Sequence, residues 1–101
     1  MDAKFTKGPL TVERFKHDES SCIVRTERGE IVAMFHSHIA GLSLEQAEAN
    51  AKLYAAAPEL YEALRLCLSE LEERFDLESS STNPGIKVAA NEARAALTKA
   101  V

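Results

Sequence analysis

Four basic residues in the first third of the chain are the first candidates for chemistry: Arg14, Lys16, Arg25 and Arg28. If they gather on one face or edge of a sheet, their side chains can hold an anion such as a phosphate. The simpler interpretation is a solvated face in which neighbouring acids neutralise these charges, and the charge balance favours it. Those neighbouring acids are Glu13, Glu27 and Glu30.

Three histidines raise the possibility of a metal site. His36 and His38 are two residues apart, so they point to one side of an extended strand, and His17 precedes them. The simpler interpretation is a pair of polar residues at the end of a strand. No cysteine or carboxylate lies at a spacing that would complete a metal site, so we expect no metal and no cofactor.

Known catalytic motifs are absent from the sequence. The chain contains no G-x-S-x-G, no P-loop, no G-x-G-x-x-G and no H-E-x-x-H. We interpret Ser20, Ser21 and Ser37 as turn residues and predict that the protein is not an enzyme. A metal-dependent enzyme that uses the three histidines is the catalytic alternative.

An apolar stripe over residues 58–75 predicts an amphipathic helix. Its members recur at intervals of four, three and four residues, a heptad-like pattern, and the apolar face is wider than one contact requires. The helix can therefore pack on the sheet and also form a subunit interface, and we expect a homo-oligomer, a dimer or higher. The predicted interface residues are Leu60, Leu64, Cys67, Leu68 and Leu71.

The first part of the chain has the pattern of β-strands. Polar and apolar residues alternate over 10–15, and residues 22–26 form a second strand pattern. The segment 30–36 is apolar on both faces, which is typical of a central strand or of one covered on both sides, and turn residues separate the three segments. Gly29 suits a left-handed conformation that closes a three-residue hairpin with a bulge. These segments predict a three-stranded antiparallel meander within residues 8–38.

The second part has the pattern of helices. Ser43 and Gln46 form a capping box at the start of a helix that we expect to end near Ala57. Pro58 predicts a sharp bend into a second helix over 58–75. A flexible loop over 76–85 then leads to a C-terminal helix over 86–100. The predicted fold class is α+β in a single domain, residues 1–101: a β-meander, a helical pair over 43–75 bent at Pro58, and a C-terminal helix.

Composition limits the compartment and the partners. The chain has 101 residues, 46% of them hydrophobic, and a formal net charge of −4, which argues against general nucleic-acid binding. Cys22 and Cys67 stand apart without metal-binding spacing, so we expect reduced thiols. No apolar run has the length of a signal peptide or a membrane span, so we expect a soluble intracellular protein.

The segment ANAKLYAAAPELYEAL, residues 49–64, resembles a signature of small phage and prophage proteins, ANAxLIAAAPELLEAL. Gly8-Pro9 is similar to the opening of that family. Tyr54 and Tyr61 depart from its usual aliphatic residues, and Leu10 stands where an aromatic residue is common. The resemblance covers about a quarter of the chain, and its residues are structural: helix, proline and helix.

The resemblance implies an accessory protein of a phage, cytoplasmic in the infected bacterium and directed against host defence. We predict that it sequesters a nucleotide immune signal of the host. The alternatives are an inhibitor that binds a host defence complex through its acidic and apolar helical surface, and a purely structural oligomeric phage protein. A nucleotide site would need cationic and aromatic groups that converge, and the candidates are Arg14, Phe15, Arg25, Arg28 and Phe35.

Overall fold

The computed structural model describes residues 4–37 and 43–101. The elements in chain order are β1 (Leu10–Arg14), β2 (Ser21–Thr26), β3 (Ile31–His36), α1 (Leu44–Arg74) and α2 (Pro84–Ala100). The fold class is α+β, as predicted. The described residues divide into two compact units, the first within Thr6–Pro58 and the second within Glu59–Val101 together with residues 4–5.

The three strands form an antiparallel sheet in the order β1-β2-β3, which confirms the predicted meander. Val12 lies opposite Val24, and Glu13 lies opposite Ile23. Because successive side chains alternate between faces, Val12 and Val24 share one face and Glu13 and Ile23 share the other.

The turn between β2 and β3 is closed by Gly29, as the sequence predicts. Gly29 has φ of +87°, a conformation that side chains with a Cβ rarely adopt. The amide of Gly29 donates to the carbonyl of Thr26, and the amide of Thr26 donates to the carbonyl of Glu30, both at 2.9 Å. The one irregularity of register between these strands falls at Val24 and Arg25.

The core of the first unit lies between one sheet face and the first part of α1. Cys22 and Val24 of β2 cluster with Ala51 and Ala55 of α1, and all four are buried. Alanine lets the helix approach the sheet closely. The predicted capping box is confirmed: the Ser43 amide donates to Gln46 Oε1 at 3.0 Å, and the Gln46 amide donates to Ser43 Oγ at 3.1 Å.

The predicted division into two helices at Pro58 is wrong. α1 runs from Leu44 to Arg74 with Pro58 inside it, so residues 4–37 and 43–101 contain two helices rather than three. A proline removes one backbone hydrogen bond and crowds the preceding turn. The residues on both sides, Ala55–Ala57 and Glu59–Leu60, are strong helix formers, and their propensity carries the helix through this position.

The second unit contains residues 59–74 of α1 and the whole of α2. Leu68 clusters with Ala90 and Ala93, and Leu64 and Leu97 pack against this cluster. The helix α2 begins at Pro84, two residues before the predicted start. The reason is local: the side chain of Asn83 accepts the Gly85 amide at 2.7 Å as an N-cap, and proline suits the first helical position. Over the described ranges, neither helix is long and apolar enough to cross a bilayer.

Candidate functional site

A pocket of about 280 Å³ opens beside β1 and β2 in the first unit. Ile23 lies in its lining and is only 1% exposed, so the pocket has an apolar base. The rest of the lining is charged or aromatic. The lining residues are Glu13, Arg14, Phe15, Lys16, Ile23 and Arg25.

Two hydrogen bonds orient the Arg25 side chain beside the pocket. Its Nε donates to Glu13 Oε1, and its Nη1 donates to the carbonyl of Gly29 at 2.7 Å. Glu13 and Arg25 are diagonal neighbours on one sheet face, since Ile23 lies opposite Glu13. The left-handed turn at Gly29 therefore orients the guanidinium, and Glu13 occupies part of its donor edge.

Arg14 is tied to helix α1. Its Nη2 lies 3.5 Å from Glu48 Oε2, and Lys52 Nζ lies 3.1 Å from Glu48 Oε1. The hydrogen bond from Lys52, with a smaller contribution from Arg14, holds the pKa of Glu48 below its ordinary value. The contact between Arg14 and Glu48 is long, and the Arg14 side chain is 56% exposed. Because Arg14 lies opposite Cys22, its side chain points to the sheet face that α1 covers, whereas Glu13, Ile23 and Arg25 point to the other face.

The remaining lining adds a third cation and a ring. Lys16 is exposed and forms no ion pair with any described residue. Phe15 is half-buried and packs edge to face against His17, with ring centroids 5.2 Å apart. Three basic residues and one acidic one line the pocket, so its surroundings are locally positive on a chain of net charge −4. A site with this lining suits a small anion that also carries an apolar or aromatic part.

Two of the five predicted ligand residues lie elsewhere. Arg28 is exposed in the turn before Gly29 and does not line the pocket. Phe35 lies opposite Cys22, so it points to the sheet face that α1 covers. There its ring packs against Tyr54, with centroids 5.8 Å apart. The structure thus brings together Arg14, Phe15 and Arg25 only.

A hydrogen-bonded cluster of Asp18, Ser21 and His36, centred on the buried Ser21, lies at the start of β2 and the end of β3. The Ser21 hydroxyl contacts Asp18 Oδ2 at 2.9 Å and His36 Nδ1 at 2.6 Å. Because a carboxylate only accepts, we assign the hydroxyl as donor to Asp18 and the His36 Nδ1–H as donor to the hydroxyl. A catalytic triad places histidine between the acid and an accessible nucleophile. Here serine lies in the middle and is 0% exposed, so the cluster is a structural one.

The histidines do not form a metal site in the part of the chain that the structure describes. His17 packs on Phe15, and His36 is bonded to Ser21. His38 lies outside the described residues. Within the described ranges, no group of three or more histidine, cysteine or acidic side chains is arranged to hold a metal ion.

The leucines predicted to form an oligomer interface divide between two environments. Leu68 is buried against α2, and Leu64 packs on the same cluster. Leu60 is 53% exposed, and Cys67 is also exposed. Leu71 is half-buried. The packing of α2 therefore uses part of the predicted interface, and self-association through these residues stays a prediction.

Three residues that line the pocket are not among the ligand residues predicted from the sequence. Lys16 was weighed among the basic residues but not placed in the predicted site, and Glu13 was interpreted only as a neutralising acid. Ile23 was assigned to a strand without a role. The register of β1 on β2 is the signal that would have joined them, because it sets Glu13 opposite Ile23 and Thr11 opposite Arg25.

The chain matches known proteins at the level of a family. No curated protein and no solved structure matches the chain. The model of one phage protein family, described as Salmonella phage P22 protein Y8K6, matches residues 1–101, which is the whole of this sequence. The chain therefore belongs to the family of Salmonella phage P22 protein Y8K6.

Proposed function

We propose that this member of a phage protein family is a non-enzymatic accessory protein that binds a small phosphate-bearing molecule in the pocket beside β1 and β2. The leading ligand class is a nucleotide that serves as a host defence signal. One observation carries the proposal: Arg14, Lys16 and Arg25 line a single pocket together with Phe15. Guanidinium and ammonium groups bind phosphate, and a phenyl ring packs against a base.

The dimensions of the pocket limit the ligand. About 280 Å³ is at the small end of the range for small-molecule sites, which is roughly 300–1,000 Å³. One pocket thus suits a mononucleotide-sized group better than a whole cyclic dinucleotide. A larger ligand would extend beyond the pocket.

The non-enzymatic part of the proposal has its own support. The only serine–histidine–acid cluster of the described residues centres on Ser21, whose hydroxyl is fully buried and bonded on both sides. A nucleophile must reach its substrate and be activated by a base. We therefore expect a bound nucleotide to be recovered chemically unchanged.

Titration calorimetry on the untagged protein tests the proposal with adenosine monophosphate, cyclic mononucleotides, cyclic dinucleotides and inorganic phosphate as probes. Lys16→Gln should weaken binding by roughly ten-fold, because it removes one charge-assisted contact. Arg14→Gln should weaken binding by less, because the Arg14 side chain is turned toward Glu48 of α1. Arg28→Gln is the matched control, since it removes an arginine of the same sheet that lies outside the pocket. Equal losses for Arg28→Gln and Lys16→Gln would overturn the assignment of the pocket, and so would no binding of any probe.

A host protein is the second candidate partner, and exposed apolar side chains favour it. Leu60 and Leu66 of α1 are 53% and 57% exposed, and Val88 of α2 is 56% exposed. A partner that covers such side chains removes apolar surface from water, which favours association. Leu66→Glu should abolish binding to such a partner and leave nucleotide binding intact, which separates the two candidates.

A further inference from the structure

β3 forms an outer edge of the described sheet, and it lacks the features that usually protect an edge. The strand order β1-β2-β3 leaves one side of β3 without a neighbouring strand among residues 4–37 and 43–101. Natural edge strands are usually interrupted by a charge, a proline or a short length. Residues 31–35, Ile-Val-Ala-Met-Phe, contain neither charge nor proline. Ile31 is 46% exposed and Met34 is 38% exposed.

The hydrogen-bonding pattern shows which backbone groups point outward. The Ser37 amide donates to the Ser20 carbonyl at 2.9 Å, so these two residues form a hydrogen-bonded pair of the ladder. In an antiparallel ladder such pairs alternate with pairs whose groups point away. Ala33 and Phe35 therefore bond toward β2, and the N–H and C=O of Met34 point to the outer side. No described residue bonds to those two groups of Met34.

We propose that β3 pairs with β3 of a second copy of this chain, antiparallel and across a two-fold axis at Met34. The N–H of Met34 then donates to the carbonyl of Met34 in the other copy, and the reverse bond completes the pair. The two sheets become one continuous sheet of six strands. A two-fold axis satisfies both edges at once, since each copy presents the same groups to the other.

Charge and register favour a second copy as the occupant of this edge. About a two-fold axis at Met34 only Met34 meets its own counterpart, and Phe35 of each copy meets Ala33 of the other. Like charges placed opposite each other across strands are destabilising. β3 from Ile31 to Phe35 is uncharged and meets no such penalty, whereas β1, on the other edge, carries Glu13 and Arg14. The register irregularity lies near Ile31, opposite Arg25, so the regular part of β3 is centred close to Met34.

Sedimentation equilibrium of the untagged protein tests the proposal first. The expected mass is twice 11.1 kDa. Met34→Lys places a charge against its own copy at the axis and should return the monomer. Thr11→Lys is the matched control because Thr11 is an exposed residue of β1, and this variant should stay dimeric. A monomeric parent protein at 100 μM or a dimeric Met34→Lys variant would overturn the proposal.

Disulfide trapping gives a second test that does not depend on a destabilising charge. Cα atoms of a hydrogen-bonded antiparallel pair are about 5.5 Å apart, which a disulfide can bridge. In a Cys67→Ser background, Met34→Cys should form a covalent dimer under mild oxidation, and Thr11→Cys should form little. Equal cross-linking of both variants would show that contact is random. A dimer that Met34→Cys does not trap would place the interface elsewhere and refute this register.

Discussion

Replacement of the buried Ser21 by alanine tests whether the Asp18–Ser21–His36 cluster stabilises the sheet at the start of β2 and the end of β3. Ser21 is 0% exposed, and its hydroxyl bonds to Asp18 at 2.9 Å and to His36 at 2.6 Å. A hydrogen bond to a charged group contributes about 1.5–3 kcal/mol and a neutral one about 0.5–1.5 kcal/mol. Ser21→Ala removes one of each.

The loss in free energy of unfolding is smaller than the sum of these two hydrogen bonds because Asp18 and His36 are both accessible to water. The side chains of His36 and Asp18 are 29% and 40% exposed, so water can replace part of what the serine supplied. Asp18 also keeps the Ser20 amide as a donor at 3.0 Å. We therefore expect Ser21→Ala to lower the free energy of unfolding by about 2 kcal/mol.

Urea unfolding followed by far-ultraviolet circular dichroism measures this loss. Ser20→Ala is the control, since Ser20 also bonds to Asp18, at 2.6 Å, but is not buried. We expect its cost to stay below about 1 kcal/mol. If Ser21→Ala costs no more than Ser20→Ala, the cluster does not stabilise the sheet and the reasoning from burial is refuted.

Three further predictions concern single side chains. Glu13→Gln removes the acid that pairs with Arg25, so it should tighten binding of inorganic phosphate or a mononucleotide by roughly three- to ten-fold in titration calorimetry; weaker binding would show that Glu13 orients Arg25 rather than competing for it. Pro58→Ala should raise the free energy of unfolding by about 1–3 kcal/mol in urea, because proline is unfavourable inside α1; a loss would mean that Pro58 makes a contact worth more than the gain in helix propensity. Lys52 lowers the pKa of Glu48, so the contribution of Glu48 to the free energy of unfolding is present at neutral pH and is lost as the pH falls through that lowered pKa. Glu48→Gln should therefore flatten the acid side of a plot of the free energy of unfolding against pH. An unchanged plot would contradict the pairing of Glu48 with Lys52.

Local signals in the sequence were sufficient for the strands, the turn and the first helix cap. Alternation and short apolar runs identified the three strands, and Gly29 identified the turn. Ser43 with Gln46 identified the cap, and each of these signals depends on residues close together in the chain. The predicted helix boundary at Pro58 is wrong because the rule for proline considers only the residues next to it. Its cost of about 3 kcal/mol in a helix interior is offset by the long run of helix formers on both sides.

The buried cluster and the pocket depend on which residues the strands bring together, and composition does not reveal that. Ser21 looked like a turn residue because its neighbours are polar. Only the pairing of β2 with β3 sets it opposite His36 and closes it from solvent. Likewise, Phe35 shares the aromatic character of Phe15, but alternation along β3 sends it to the face that α1 covers.

The structure agrees in part with both interpretations of the basic residues, a neutralised surface and an anion site. Acids do pair with the arginines, as the simpler interpretation expected, but only Glu13 of the three predicted acids does so, and Glu48 of α1 pairs with Arg14. These acids offset the charge without filling the pocket. A neutralised face and an anion site are therefore compatible here, and Lys16, which has no acidic partner among the described residues, supplies the excess charge that makes the pocket attract an anion.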